Sequence, residues 1–151
     1  MAIAKNIYTV FDRDSGQISM SNQVFDDPDG RYGNVLNERE MRFVNHGGPT
    51  HAHLGRDFVA NDGIARRPQF RISIDRTRIR AGGNDVARIT GIPRGVVVTL
   101  AVMMGGASHT VERLNFDGPA IELPAPVPGL YTVTITRWPY RDWTRTIEAI
   151  A

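Results

Sequence analysis

Hydrophobic and polar residues alternate strictly near the end of the chain. Tyr131, Val133 and Ile135 are separated by threonines, so a strand here would carry apolar side chains on one face and hydroxyls on the other. A second short strand is predicted at residues 143–147, after a bend at Pro139, whose missing N–H excludes it from a central sheet ladder. Two such strands are typical of the pair that closes an immunoglobulin-like sandwich.

Further strand patterns precede this pair. Turns that contain glycine or proline separate short segments with strand character, at residues 71–75, 76–80, 85–90, 95–102, 108–115 and 120–123. Strands of this number and spacing are typical of a Greek-key sandwich.

The N-terminal part is less regular. Residues 8–11 and 17–20 predict a β-hairpin around a turn of Asp, Ser and Gly. Residues 22–67 show only short strand patterns, and regular alternation resumes after Arg67. The sequence therefore predicts an all-β fold, with an N-terminal β-hairpin and irregular docking region over residues 1–67 and an immunoglobulin-like β-sandwich over residues 68–151.

Composition narrows the function classes. The chain of 151 residues has no cysteine, which excludes disulfides and thiolate zinc sites. No apolar run is long enough to span a bilayer and the N-terminus has no secretory pattern, so we expect synthesis in the cytoplasm without membrane insertion. The net charge is +2, and Lys5 is the single lysine. The arginine excess reflects either genomic base composition or a preference for bidentate contacts at interfaces.

Several spaced motifs resemble those of a known family. Residues 58–63, Phe-Val-Ala-Asn-Asp-Gly, lead into Arg67-Pro68, and Pro128-Gly-Leu-Tyr131 precedes the run Trp-Pro-Tyr-Arg-Asp-Trp at 138–143. Together, residues 57–151 resemble small bacteriophage and prophage proteins with an immunoglobulin-like C-terminal domain, often encoded beside tail-fibre genes. The resemblance implies a virion structural protein at the tail end or a fibre attachment, and it supplies no catalytic residues.

The segment Thr-His-Ala-His is a candidate metal site. On a strand, His51 and His53 would point to the same face. In a trimer with this segment near the axis, three such pairs would offer six imidazoles to one transition metal. The alternative is a pair of solvated histidines in a glycine-rich loop.

Two sets of residues are candidates for an interface. Arg76, Arg78 and Arg80 share one face of a predicted strand, which suits either a contact with a neighbouring subunit or a solvated surface. Nucleic acid is disfavoured, because the net charge is near neutral and no aromatic residues interleave with these arginines. Trp138 and Tyr140 are either core residues or an exposed aromatic patch for a partner protein or a host-surface glycan.

No constellation of residues indicates catalysis. The carboxylates nearest to the aromatic residues, Asp142 and Glu148, fall in an edge-like strand and form no acid/base pair. Trp143 is in phase with Ile147, so we expect it in the core.

We therefore expect a non-enzymatic structural component of a tailed bacteriophage or phage-like particle, located in the virion at the distal tail or a fibre attachment. It would act by docking and surface display, with other virion proteins as partners and with self-association, a trimer being favoured. Two alternatives stay open: a capsid decoration or head-spike protein, and a host-surface carbohydrate-binding module. No cofactor is expected apart from the metal at the trimer axis.

Overall fold

The computed structural model describes residues 5–25, 40–46, 55–60 and 63–151. All regular structure in these residues is β-strand, which confirms the all-β fold class. No helix that is long and apolar enough to cross a membrane occurs in the described residues. The chain divides into two compact units, Met1–Pro68 and Gln69–Ala151.

The first unit contains a three-stranded antiparallel sheet in the order β2-β1-β3, formed by β1 (Lys5–Asp12), β2 (Ile18–Phe25) and β3 (Glu40–His46). In the turn between β1 and β2, the Asp12 carboxylate accepts hydrogen bonds from the backbone N–H groups of Asp14 at 3.1 Å and Ser15 at 2.8 Å. This local bonding is why Asp favours such turns. The predicted hairpin is confirmed, and β3 adds a third strand to it.

A second hairpin in the same unit joins β4 (Asp57–Ala60) to β5 (Gly63–Arg66). It is tied to the first hairpin, because the Val59 N–H donates to the Gly16 carbonyl at 2.9 Å. The short strand predicted at residues 57–59 is therefore present, and it pairs with a second strand, Gly63–Arg66, in the region predicted to be irregular.

The second unit consists of two sheets. The larger has the order β10-β9-β12-β13-β7 and the smaller the order β11-β8-β6. Their strands are β6 (Ser73–Ile74), β7 (Arg78–Arg80), β8 (Val86–Thr90), β9 (Val96–Met104), β10 (Ala107–Phe116), β11 (Ala120–Pro124), β12 (Gly129–Thr136) and β13 (Trp143–Ile150). Every pairing is antiparallel except that of β13 with β7.

The core of this unit lies between the inner faces of the two sheets. On β12, Tyr131, Val133 and Ile135 are at most 3% exposed, as their alternation with threonine predicts. Trp143 and Ile147 are also buried, in agreement with their predicted phase. Full burial of a side chain such as Ile147 stabilises the fold by about 1.5–3 kcal/mol.

A side-chain hydrogen bond fixes the connection between β11 and β12. The Tyr131 hydroxyl donates to the Val127 carbonyl at 2.8 Å, four residues upstream. A tyrosine bonded to the backbone at this corner is a hallmark of immunoglobulin domains. The two packed sheets confirm the predicted β-sandwich, and this tyrosine is consistent with its immunoglobulin-like form.

The position of β13 corrects one prediction. Residues 148–150 pair with β7, and Glu148 lies opposite Arg78, so the interpretation of this strand as edge-like is wrong at Glu148. The first half of β13 pairs with β12 alone. Within β13, therefore, only the residues before Glu148 lack a partner strand on the side opposite β12.

Candidate binding site at the start of β13

The alternation along β13 brings a charged residue into the row that faces the opposite sheet. Trp143, Arg145 and Ile147 share this row, and Arg145 lies opposite the fully buried Val133 of β12. Arg145 is nevertheless exposed. The two sheets therefore do not close over Arg145, although Trp143 and Ile147 on either side of it in this row are buried.

A cavity of about 260 Å³ occupies this position. Two stretches of chain, the entry to the sandwich and the start of β13, supply its lining: Gln69, Phe70, Ile72, Arg141, Asp142, Trp143 and Arg145. A parallel β-bridge between Gln69 and Arg141 holds the two stretches side by side. The cavity is thus formed by backbone pairing as well as by side chains.

Aromatic rings and guanidinium groups are stacked around the cavity. Phe70 and Tyr140 lie face to face, with ring centroids 4.7 Å apart and planes inclined by 14°. The Cζ atoms of Arg137 and Arg145 lie 4.8 Å from the Tyr140 ring centroid and 5.3 Å from that of Trp143. Cation–π contacts of this kind contribute about 0.5–2 kcal/mol, so they order the arginines before a ligand arrives.

Trp143 carries an unsatisfied hydrogen-bond donor. Its side chain is 7% exposed, and its Nε1–H has no acceptor among the described residues. A buried donor without a partner costs about 1–3 kcal/mol, and most such groups in native proteins are satisfied. An acceptor supplied by a bound molecule would remove this cost.

The aromatic residues predicted to form an interface do not share one environment. Trp138 is 36% exposed in the turn between β12 and β13, whereas Tyr140 is half-buried by its stacking on Phe70. Sequence reasoning missed Arg145, although its place between Trp143 and Ile147 in the alternating pattern was a usable signal. Nothing in the sequence indicates that Phe70 reaches this turn.

The arginines predicted to form an interface lie on or beside β7. Arg76, Arg78 and Arg80 are all exposed. Arg76 lies 3.2 Å from a carboxylate oxygen of Asp85, and Arg78 lies 3.3 Å from Glu148. Exposed pairs of this kind contribute at most about 1 kcal/mol to stability, and they reduce the positive charge of this face. The arginine face lies near the end of β13 and the cavity near its start.

The predicted metal ligands His51 and His53 lie outside the described residues. Within residues 5–25, 40–46, 55–60 and 63–151, no group of three or more His, Cys, Asp or Glu side chains is arranged to hold a metal ion. The trimer-axis site stays a prediction.

Comparison with known proteins returns no match to any protein-family model, curated protein or solved structure. The resemblance of residues 57–151 to small phage proteins therefore stays a prediction, and the chemistry of the cavity follows from its own geometry.

Proposed function

We propose that the chain is a structural component of a tailed bacteriophage or phage-like particle, at the distal tail or a fibre attachment. It docks on neighbouring virion proteins and displays its immunoglobulin-like unit, and it has no catalytic role. The resemblance of residues 57–151 to small phage proteins supports the assignment to a phage particle. The surface of the second unit supports the docking role.

An exposed apolar patch carries the docking proposal. Met103 and Met104 at the end of β9 are each 48% exposed, and Leu130 at the start of β12 is 41% exposed. Leu130 is the cross-strand partner of Met103, so the side chains of these two residues lie next to each other on one face of the sheet and form the methionine patch. Contiguous exposed apolar residues mark interaction surfaces, and the flexible methionine side chain adapts to a partner.

Two carboxylates of the second unit bind backbone N–H groups, which supports a structural and not a catalytic use of these side chains. The backbone N–H groups of Arg88 and Gly95 donate to Asp75 at 2.7 Å and to Asp117 at 3.0 Å. The hydrogen bond from Arg88, helped by the Arg76 guanidinium, lowers the pKa of Asp75. A general acid or base needs a pKa raised towards neutrality, so this shift has the direction expected of a structural carboxylate.

Fractionation of particles tests the proposal. Particles from a phage or prophage that encodes this chain are separated into heads and tails, and each fraction is searched for the chain by mass spectrometry. Recovery with tails at a fixed small copy number is expected. Recovery with heads, in numbers that scale with capsomers, would identify a decoration protein instead. Absence from both fractions would refute the virion role.

The methionine patch is tested in the same particles. The double variant Met103→Ser/Leu130→Ser should be incorporated less than the wild type, because it removes the apolar contact surface. The control Thr134→Ser changes an outward-facing residue of the same sheet outside the patch. Equal incorporation of both variants would exclude the patch as the dock. Sedimentation equilibrium of the purified wild-type chain tests the predicted trimer.

A further inference from the structure

We propose that the cavity at the start of β13 binds the carboxylate-bearing ring of an acidic sugar, such as a uronic acid unit of a surface glycan. This site is separate from the methionine patch, and its existence does not depend on the virion role.

The charge of the cavity favours an anion. Two guanidinium groups, those of Arg141 and Arg145, line it, against the single carboxylate of Asp142. Neither arginine forms an ion pair within the described part of the chain, and Arg145 uses one N–H to donate to the Thr144 carbonyl at 2.8 Å. The remaining N–H groups are available, and guanidinium binds carboxylate through two parallel hydrogen bonds.

The rest of the lining favours a sugar over a simple anion. Most of the exposed lining is polar, and the faces of Phe70 and Trp143 are covered by Tyr140 and Arg145, so a sugar would be held by hydrogen bonds to its hydroxyl groups. The unsatisfied Nε1–H of Trp143 has almost no exposed surface, so it would donate to a sugar oxygen only after the lining side chains move. Gln69 adds an amide that both donates and accepts, as sugar hydroxyls require. An acidic peptide would use the guanidinium groups but offers fewer hydroxyl groups to this polar lining.

The size of the cavity limits the ligand to one ring. A volume of about 260 Å³ lies below the roughly 300–1,000 Å³ that is typical of sites for drug-sized molecules. The cavity therefore accommodates a single terminal or branching sugar unit, with the rest of the glycan in solvent.

Fluorescence of Trp143 provides a direct measurement. The chain has two tryptophans, so the full-length variant Trp138→Phe leaves Trp143, which lines the cavity, as the only tryptophan. This variant is titrated separately with D-glucuronate, D-glucose and L-glutamate. We expect glucuronate to quench the fluorescence in a saturable way. Glucose, which lacks the carboxylate, and glutamate, which lacks the sugar ring, should each bind at least about tenfold more weakly.

Each other outcome overturns the proposal. Equal binding of glucose and glucuronate would exclude a role for the guanidinium groups. Equal binding of glutamate would exclude recognition of the sugar ring and would favour an acidic peptide. If none of the three ligands changes the fluorescence, and isothermal calorimetry of the wild type detects no heat of binding, the site is excluded.

Three variants assign the contacts by calorimetry with glucuronate. Arg141→Gln and Arg145→Gln should each weaken binding by about tenfold or more, because each removes a charge-assisted pair. Trp143→Phe keeps an aromatic ring but removes the N–H, and we expect a similar loss. The matched control Arg113→Gln alters an exposed arginine on β10, outside the cavity lining, and should bind as the wild type does. Wild-type affinity in folded Arg141→Gln and Arg145→Gln, with folding checked by circular dichroism, would refute the assignment.

Discussion

Removing one hydroxyl group tests whether the corner between β11 and β12 stabilises the sandwich. Tyr131 is 3% exposed, and its hydroxyl donates to the Val127 carbonyl at 2.8 Å. The substitution Tyr131→Phe deletes this bond, together with the longer bond of 3.4 Å that the hydroxyl accepts from the Val127 N–H. It keeps the ring, so the packing between the two sheets is retained.

The expected magnitude follows from the surroundings of the carbonyl. Val127 is 45% exposed, so we expect water to replace the hydroxyl as the partner of its backbone groups. The loss is then set mainly by the shorter bond, about 0.5–1.5 kcal/mol, since a bond of 3.4 Å is long and weak. For a domain of this size, 1 kcal/mol lowers the Tm by about 4–8 °C.

Tryptophan fluorescence isolates the relevant transition. Both tryptophans, Trp138 and Trp143, belong to the unit Gln69–Ala151, so their emission during urea or thermal unfolding reports on that unit. Tyr131→Leu, which also removes the ring, should cost clearly more than Tyr131→Phe. If Tyr131→Phe changes the free energy of unfolding by less than about 0.3 kcal/mol, the bond has no stabilising role. If both variants lower the free energy of unfolding equally, the packing role of the ring is refuted.

Three further substitutions probe the core, one turn and one carboxylate. Ile147→Ala should cost about 2–5 kcal/mol in urea unfolding, since Ile147 is fully buried, whereas Leu130→Ala on the exposed face should stay within about 0.5 kcal/mol. Gly91 has φ +77°, and an added Cβ would lie 2.6 Å from the Arg71 carbonyl oxygen. Gly91→Ala should therefore lower the Tm more than Gly83→Ala, where φ is +85° but the space is open. Asp75→Asn should destabilise the fold at pH 7. Because the pKa of Asp75 is lowered in the folded state, its contribution is present above about pH 4 and is lost as the pH falls through the folded pKa.

Each of these predictions has a contrary result. Similar losses for Ile147→Ala and Leu130→Ala would place the core elsewhere. Equal Tm values for the two glycine variants would mean that the backbone near Gly91 yields to a side chain. A stability difference between Asp75→Asn and the wild type that persists unchanged at pH 2.5 would exclude the ionised carboxylate as its cause.

Local patterns predicted most of the sandwich. The alternation of Tyr131, Val133 and Ile135 with threonine predicted β12, because one face is buried and the other is solvated. Two predicted strands shrink to Ser73–Ile74 and Arg78–Arg80, since few of their residues pair with another strand. The parallel pairing of β7 with β13 was not predictable, because contacts between distant segments leave no local pattern.

The candidate site was only partly predictable for the same reason. The aromatic turn at residues 138–143 was recognised as a functional candidate, but the cavity beside it depends on Phe70, which is distant in sequence. Arg145 occupies a position of β13 where the alternation predicts a buried apolar side chain. This local signal is visible in the sequence. The β4–β5 hairpin was missed in part, because Gly63–Arg66 shows no alternation.

The tip of the β9–β10 hairpin gives this chain a use as a scaffold. A side chain added at Gly105 or Gly106 would meet no other atom within 4 Å, and the residues that follow at the start of β10 are exposed. Exposed tips of this kind tolerate inserted sequence, and loop-closure entropy rises only slowly with the length of an insert. A foreign peptide grafted between these two glycines would be presented at the end of a two-stranded stalk, away from the core of the sandwich.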